Sequence, residues 1–175
     1  MSAPYDPREV ANYILELARS GSEPVSQMKM YKIVFFCHGW YLATYDKPLI
    51  SEEFEAWEFG PVSRILRDQF KSWGENNINQ PAEKLILETG ELIPYPVNLL
   101  ESDKNFISAI FRSYSHLSAF DLSDMTHEKG SPWHKIWLAG DSKSSFRLRI
   151  ADNDIKNHFL RVGRARADNV GAGRG

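Results

Sequence analysis

A single cysteine among 175 residues leaves no partner for an intrachain disulfide, which suits a reducing compartment and predicts a cytoplasmic location. No stretch approaches the roughly 18 consecutive apolar residues that a bilayer-spanning helix needs. The opening MSAPYDPREV lacks both the basic and the apolar regions of a signal peptide, so neither membrane nor export is expected. Also missing are a Gly-rich phosphate loop, a Gly-x-Ser-x-Gly elbow and a paired acidic motif. The closing GAGRG follows no strand pattern. No Lys/Arg stripe runs through the body, which argues against a dedicated nucleic-acid-binding domain.

What remains is the composition of a folded globule, 42% hydrophobic and 13% aromatic. A chain of this length is expected to bury roughly two-thirds of its unfolded surface. The formal charge of −2 is uneven: the last fifteen residues carry four arginines against one aspartate, a local +3 on a body near −5. The division is a domain over 5–160 and a flexible Arg/Gly-rich tail over 161–175, since solvated termini of this kind fray. There is no internal repeat and no linker of domain scale.

The fold class expected is mainly α with a minor β component, a compact helical domain around a buried central helix with a small hairpin or short strands. Asp6, Pro7 and Glu9 stand at the N-cap, first and third positions of a helix whose stripe is Val10, Tyr13, Ile14 and Leu17. Ser26 starts a second helix to about Tyr45. Its middle, MYKIVFFCHGWYL, is apolar nearly all round, the pattern of a helix buried on most sides. Gly39 inside it needs a reason, such as another element packing closely, because glycine weakens a helix by about 1 kcal/mol relative to alanine. Cys37 and His38 point about 100° apart on such a helix and cannot form a nucleophile pair, so Cys37 reads as a small buried hydrophobe.

Phe54 and Ala56 alternate with Glu53 and Glu55 as a short strand, and Pro61 is placed at the start of a third helix over Val62 to about Trp73. Glu52, Glu53, Glu55 and Glu58 read as a solvated acidic edge. LILETGELIPYP reads as a hairpin around Thr89-Gly90. Helices follow from about Ser102 to Tyr114 and after Ser118, which has Asp121 at its third helical position. SFRLRI is an alternating strand, and a short C-terminal helix begins near Asp152.

The densest segment is THEKGSPWHKIW, residues 126–137. A zinc-protease helix needs His-Glu-x-x-His with both imidazoles on one helical face. Here His127-Glu128 runs into Gly130 and Pro132 before His134, so that match fails, and one cysteine is too few for a structural zinc site. Gly130 instead reads as the residue after a helix ending near Glu128, Ser131 as the next N-cap and Pro132 as the first helical position. Trp133, Ile136 and Trp137 then share an apolar face. Three functional readings stand: a protein-binding module, a small hydrolase using His127 and Glu128, and a nucleic-acid-associated protein using the basic tail. The first is preferred, and no enzyme activity is expected.

The pieces DPREVANYILELA, MKMYKIVFFCHGWYLATYDKPL, FEAWEFGPV and LSAFDLSDMTHEKGSPWHKIW, in that order, resemble the Panacea domain of SocA-like antitoxins, also called phage-associated or GepA-like proteins. The likeness spans about Tyr5 to Phe159. It implies an antitoxin of a bacterial or prophage toxin–antitoxin system that neutralises, by direct binding, a protein toxin encoded beside it. Family toxins include translation-blocking relatives of alarmone synthetases, and one relative is an adaptor that delivers its toxin to a protease, so a protease is a second implied partner. No cofactor and no metal are implied. The family pattern carries over as Met28, Lys29, Lys32, Gly39, Trp40, Trp57, Gly60, Pro61, Thr126, His127, Glu128, Gly130, Ser131, Pro132 and Trp133. Tyr31 stands where glutamine is common, and Cys37-His38 where a small or polar pair is common. The toxin-binding candidates are Lys29 and Lys32, read as one exposed face of the central helix, with Thr126, His127 and Glu128 at the corner.

Overall fold

The computed structural model describes residues 2–139 and 148–172. Its helices are α1 (Pro7–Gly21), α2 (Gln27–Tyr45), α3 (Arg64–Phe70, followed by a 3-10 turn Lys71–Trp73), α4 (Glu101–Tyr114), α5 (Ala119–Thr126), α6 (Pro132–Ala139) and α7 (Asp152–Ala172). The strands are β1 (Phe54–Trp57), β2 (Gly60–Val62), β3 (Glu83–Ile86), β4 (Glu91–Pro94) and β5 (Leu148–Ile150). Mainly α with a minor β component is therefore the observed class.

α2 is the axis of the core. α1, α3, α4, α5, α7 and β2 all pack on it, and Met30, Ile33, Val34, Phe35, Cys37 and Leu42 are buried along its length. Such a helix needs no continuous polar face because most of its surface is covered by other elements. Ser26 caps it through Lys29 N, and Asp46 in the left-handed conformation closes it. Gly39 has its reason in α7: a methyl group there would overlap the ring of Phe159, which is buried against Phe35, Phe36 and Trp40. Burial also pushes the Cys37 thiol well above its ordinary pKa.

β1 pairs antiparallel with β2 through Glu55↔Val62 and Trp57↔Gly60, and with β5 through Phe54↔Ile150, giving the order β2-β1-β5. β3 and β4 form a separate two-stranded hairpin, with Leu85 opposite Leu92 and Gly90 at positive φ in the turn.

Several local expectations change. Asp6 caps α1 through Arg8 N, but the Glu9 carboxylate leaves the capping box and accepts from Asn98 N. Gly60-Pro61 belongs to β2, not to the start of a helix, because Gly60 adopts φ +104° and pairs opposite Trp57. α3 begins three residues after Pro61, capped by Ser63. The acidic stretch divides: Glu55 is buried and accepts from Trp57 Nε1, and Glu52 accepts from Ile65 N and the Ser63 hydroxyl. Of the SFRLRI strand only 148–150 lie within the described residues. α7, expected as a short helix, continues to Ala172, with Gly163 packed near Trp40 and the Arg166 guanidinium 5.4 Å from that ring's centroid. No described helix is long and apolar enough to cross a membrane.

Candidate functional site

The motif pieces that are far apart in sequence converge at one point between α2, β2 and α5. Lys32, on the second turn of α2, has no exposed surface, and its Nζ donates to the Pro61 carbonyl at 3.0 Å. Gly60 admits no side chain there: an added Cβ would stand 2.5 Å from Thr126 Oγ1 and 2.8 Å from Lys32 Nζ. Its positive φ favours glycine independently. The Ser123 hydroxyl donates to the Phe59 carbonyl at 2.9 Å, and Trp133 Nε1 donates to the Trp57 carbonyl at 2.7 Å. The β1–β2 turn is thus held from three sides by α2, α5 and α6.

The corner between α5 and α6 follows the expected punctuation with one shift. α5 ends at Thr126 with His127 as its cap, two residues earlier than expected, and Gly130 turns the chain at φ +82°. The Ser131 hydroxyl donates to the Thr126 carbonyl and accepts from His134 N, so it closes one helix and opens the next. Behind it the rings of His127 and Trp133 stack with centroids 3.8 Å apart, and Trp137 stacks on Trp133 at 5.4 Å while remaining partly exposed.

Burial reassigns the candidate residues. Lys29, Lys32 and Thr126 are all buried, so the expected exposed face of α2 is turned inward. Lys29 Nζ donates to the Ser115 carbonyl, and burial lowers its pKa. Lys32 is pushed down to about 7 by the same cause. The His127 pKa is lowered by burial and then by the charge of Lys32, and its Nε2 is buried with no hydrogen-bond partner among the described residues. Of the five candidates only Glu128 is exposed, and His127 is half-buried. Among the described residues no group of three or more His, Cys, Asp or Glu side chains is placed to hold a metal ion.

Directly above Lys32 lies a groove of about 790 Å³ bordered by the start of α2, the β1–β2 turn, α3 and the first turn of α5. Sequence reasoning missed it. Two large aromatics flank it exposed, Phe59 at 56% and Phe120 at 71%. Trp57 forms part of the wall with the Arg67 guanidinium 4.6 Å from its ring centroid, and Lys71 stands at the rim. The available signal was Phe59 between Glu58 and Gly60, an aromatic at a turn where burial is difficult.

This convergence of Lys32, Gly60-Pro61 and the Thr126–Trp133 corner belongs to a known class: the chain is a member of the family described as Antitoxin SocA-like, Panacea domain, whose pattern matches residues 30–134. One relative is antitoxin SocA of Caulobacter vibrioides (strain NA1000 / CB15N), 32% identical over 155 residues, covering 88% of this chain and 82% of the relative. No solved structure matches the chain.

Proposed function

We propose that this chain is an antitoxin that neutralises a cognate protein toxin by direct, non-catalytic binding, and that the groove above Lys32 is the surface the toxin meets. Family membership supports the role. The observation that carries the site is the pair of exposed aromatics, Phe59 and Phe120, beside a concave wall. A protein that stays folded while presenting such anchors has the makings of an interface centre, where a few aromatic and arginine side chains dominate the binding energy. Arg67 stacked on Trp57 adds a third anchor at the same place.

In this reading Lys29, Lys32 and Thr126 act from beneath, and the last two fix the turn that carries Phe59. Glu128 and the exposed edge of His127 contribute at most to the periphery.

The test is co-expression with the protein encoded beside this chain. The unaltered chain is expected to restore growth and to form a complex with that protein. The double variant Phe59→Arg/Phe120→Arg is expected to weaken binding by about 100-fold or more, in line with the loss of two hot-spot side chains, with an unchanged thermal melt. Full rescue by the double variant removes the groove from the reading, and absence of any complex with the unaltered chain removes the antitoxin role. Toxin level measured alongside separates direct neutralisation, where it holds steady, from delivery to a protease, where it falls.

A further inference from the structure

The floor of the groove carries a cation that the fold leaves incompletely answered. Lys32 borders the groove without exposed surface, and its Nζ has one acceptor, the Pro61 carbonyl. A lysine ammonium has three N–H donors. Among the described residues no carboxylate pairs with it, and burial lowers its pKa. An unpaired buried charge is strongly unfavourable, and proteins that keep one supply a counter-charge or let the group lose its proton.

We propose that the partner segment entering this groove carries an Asp or Glu flanked by apolar residues, whose carboxylate supplies the counter-charge to Lys32 while its neighbours pack on Phe59 and Phe120. This rests on the groove being the partner surface. Charge complementarity selects the acidic residue. The rim itself is balanced, with Arg67 and Lys71, each near Asp68, against Glu58 and Glu75, so the selecting charge is that of Lys32. All four rim charges are solvent-accessible and screened by water and salt, whereas Lys32 is buried and unscreened. The amine has two N–H donors beyond the one given to the Pro61 carbonyl, so it can meet a carboxylate while still holding the turn.

The proposal has a proton signature. With its pKa near 7 the Lys32 amine is about half protonated in the free protein at neutral pH. A carboxylate beside it holds the proton on, so binding takes up a proton and weakens as pH rises above 7, by at most about tenfold per pH unit. The charged groups around it are Glu58, Arg67, Lys71 and Glu75, which share the groove, and His127 at the end of α5 with Asp124 beside it. Among these, His127 is the other group whose ordinary range falls in this window, so a His127→Phe variant, which keeps the ring on Trp133, serves as control.

The experiment is selection of random peptides against the full chain, counter-selected on Phe59→Arg/Phe120→Arg. Groove-dependent peptides are expected to share an Asp or Glu between apolar residues. Replacing that residue by its amide should weaken binding to the unaltered chain by about tenfold or more, as expected for a charge-assisted pair. The same replacement should change binding to Lys32→Met little. Affinity for the acidic peptide should fall from about pH 6.5 to about pH 8.5 with the unaltered chain and with His127→Phe, and stay flat with Lys32→Met. If Lys32→Met fails to fold, the amide comparison on the unaltered chain decides. The proposal is overturned by groove-dependent peptides without a shared acid, by an amide that binds equally well, by a pH slope that survives Lys32→Met, or by a groove that selects no peptide. An acid-selective groove on a chain that never rescues growth removes the antitoxin role alone. Rescue without acid preference removes this inference alone.

Discussion

Trp133 shows how one side chain joins distant parts of the chain. Its ring lies between His127 and Trp137, and its Nε1–H reaches the Trp57 carbonyl on the far side of the β1–β2 turn. Trp133→Ala is expected to lower stability by about 3–5 kcal/mol through lost volume. Trp133→Phe should cost about 1–3 kcal/mol, mainly by leaving the Trp57 carbonyl unpaired. Urea melts of both variants check this, and equal losses would refute the role given to the indole N–H. Lys32 makes a second residue-scale prediction. Its folded pKa, about 7, lies below the ordinary 10.5. Between those values the unfolded chain binds a proton that the folded chain has released, so the stability of the unaltered chain should rise with pH relative to Lys32→Met. Urea midpoints at pH 7 and pH 9 measure the difference, and a constant gap between the two proteins would mean the amine stays charged in the core. Lys32→Glu, which buries an anion beside a carbonyl, should not fold. The three-residue spacing of Lys29 and Lys32 was legible in the sequence, but their burial was not. Spacing assigns a shared face without saying what covers it.

Helix α7 and helix α2 depend on each other at Gly39. The ring of Phe159 occupies the space of the missing side chain, and the adjacent His38 holds the start of α7. His38 Nδ1 accepts from Ile50 N–H, so Nε2 carries the ring proton and donates to Asp152 at 3.0 Å, which assigns the neutral tautomer. Gly39→Ala should therefore displace α7 before it disturbs α2, at an overpacking cost of about 1–3 kcal/mol. Hydrogen exchange would show it as faster exchange over 152–163 with 27–38 still protected, and uniform loss across both helices would contradict it. The family pattern ends at 134, short of the helix whose phenylalanine explains its glycine. At this scale the sequence marked most boundaries correctly, since caps such as Ser26, Ser118 and Ser131 act through neighbouring backbone N–H groups. It failed at Gly60-Pro61, where proline suits a helix start and a short strand end equally well, and pairing with β1 decided between them.

At the scale of the whole molecule, six elements packed around α2 turn scattered motif residues into one buried junction with a groove above it. The sequence by itself determined the class of fold, the buried central helix, the hairpin, the corner at Gly130–Pro132 and the kinship with SocA-like antitoxins. These rest on periodicity, capping and ordered motifs, all of which are written in near neighbours. Only the tertiary structure decided that Lys29, Lys32 and Thr126 lie inside, that Phe59 and Phe120 lie outside, and that the space between them is concave. Exposure is a property of what packs on a face. For Lys32 that cover comes from Gly60 and Pro61, about thirty residues along the chain, and from Thr126, more than ninety residues along.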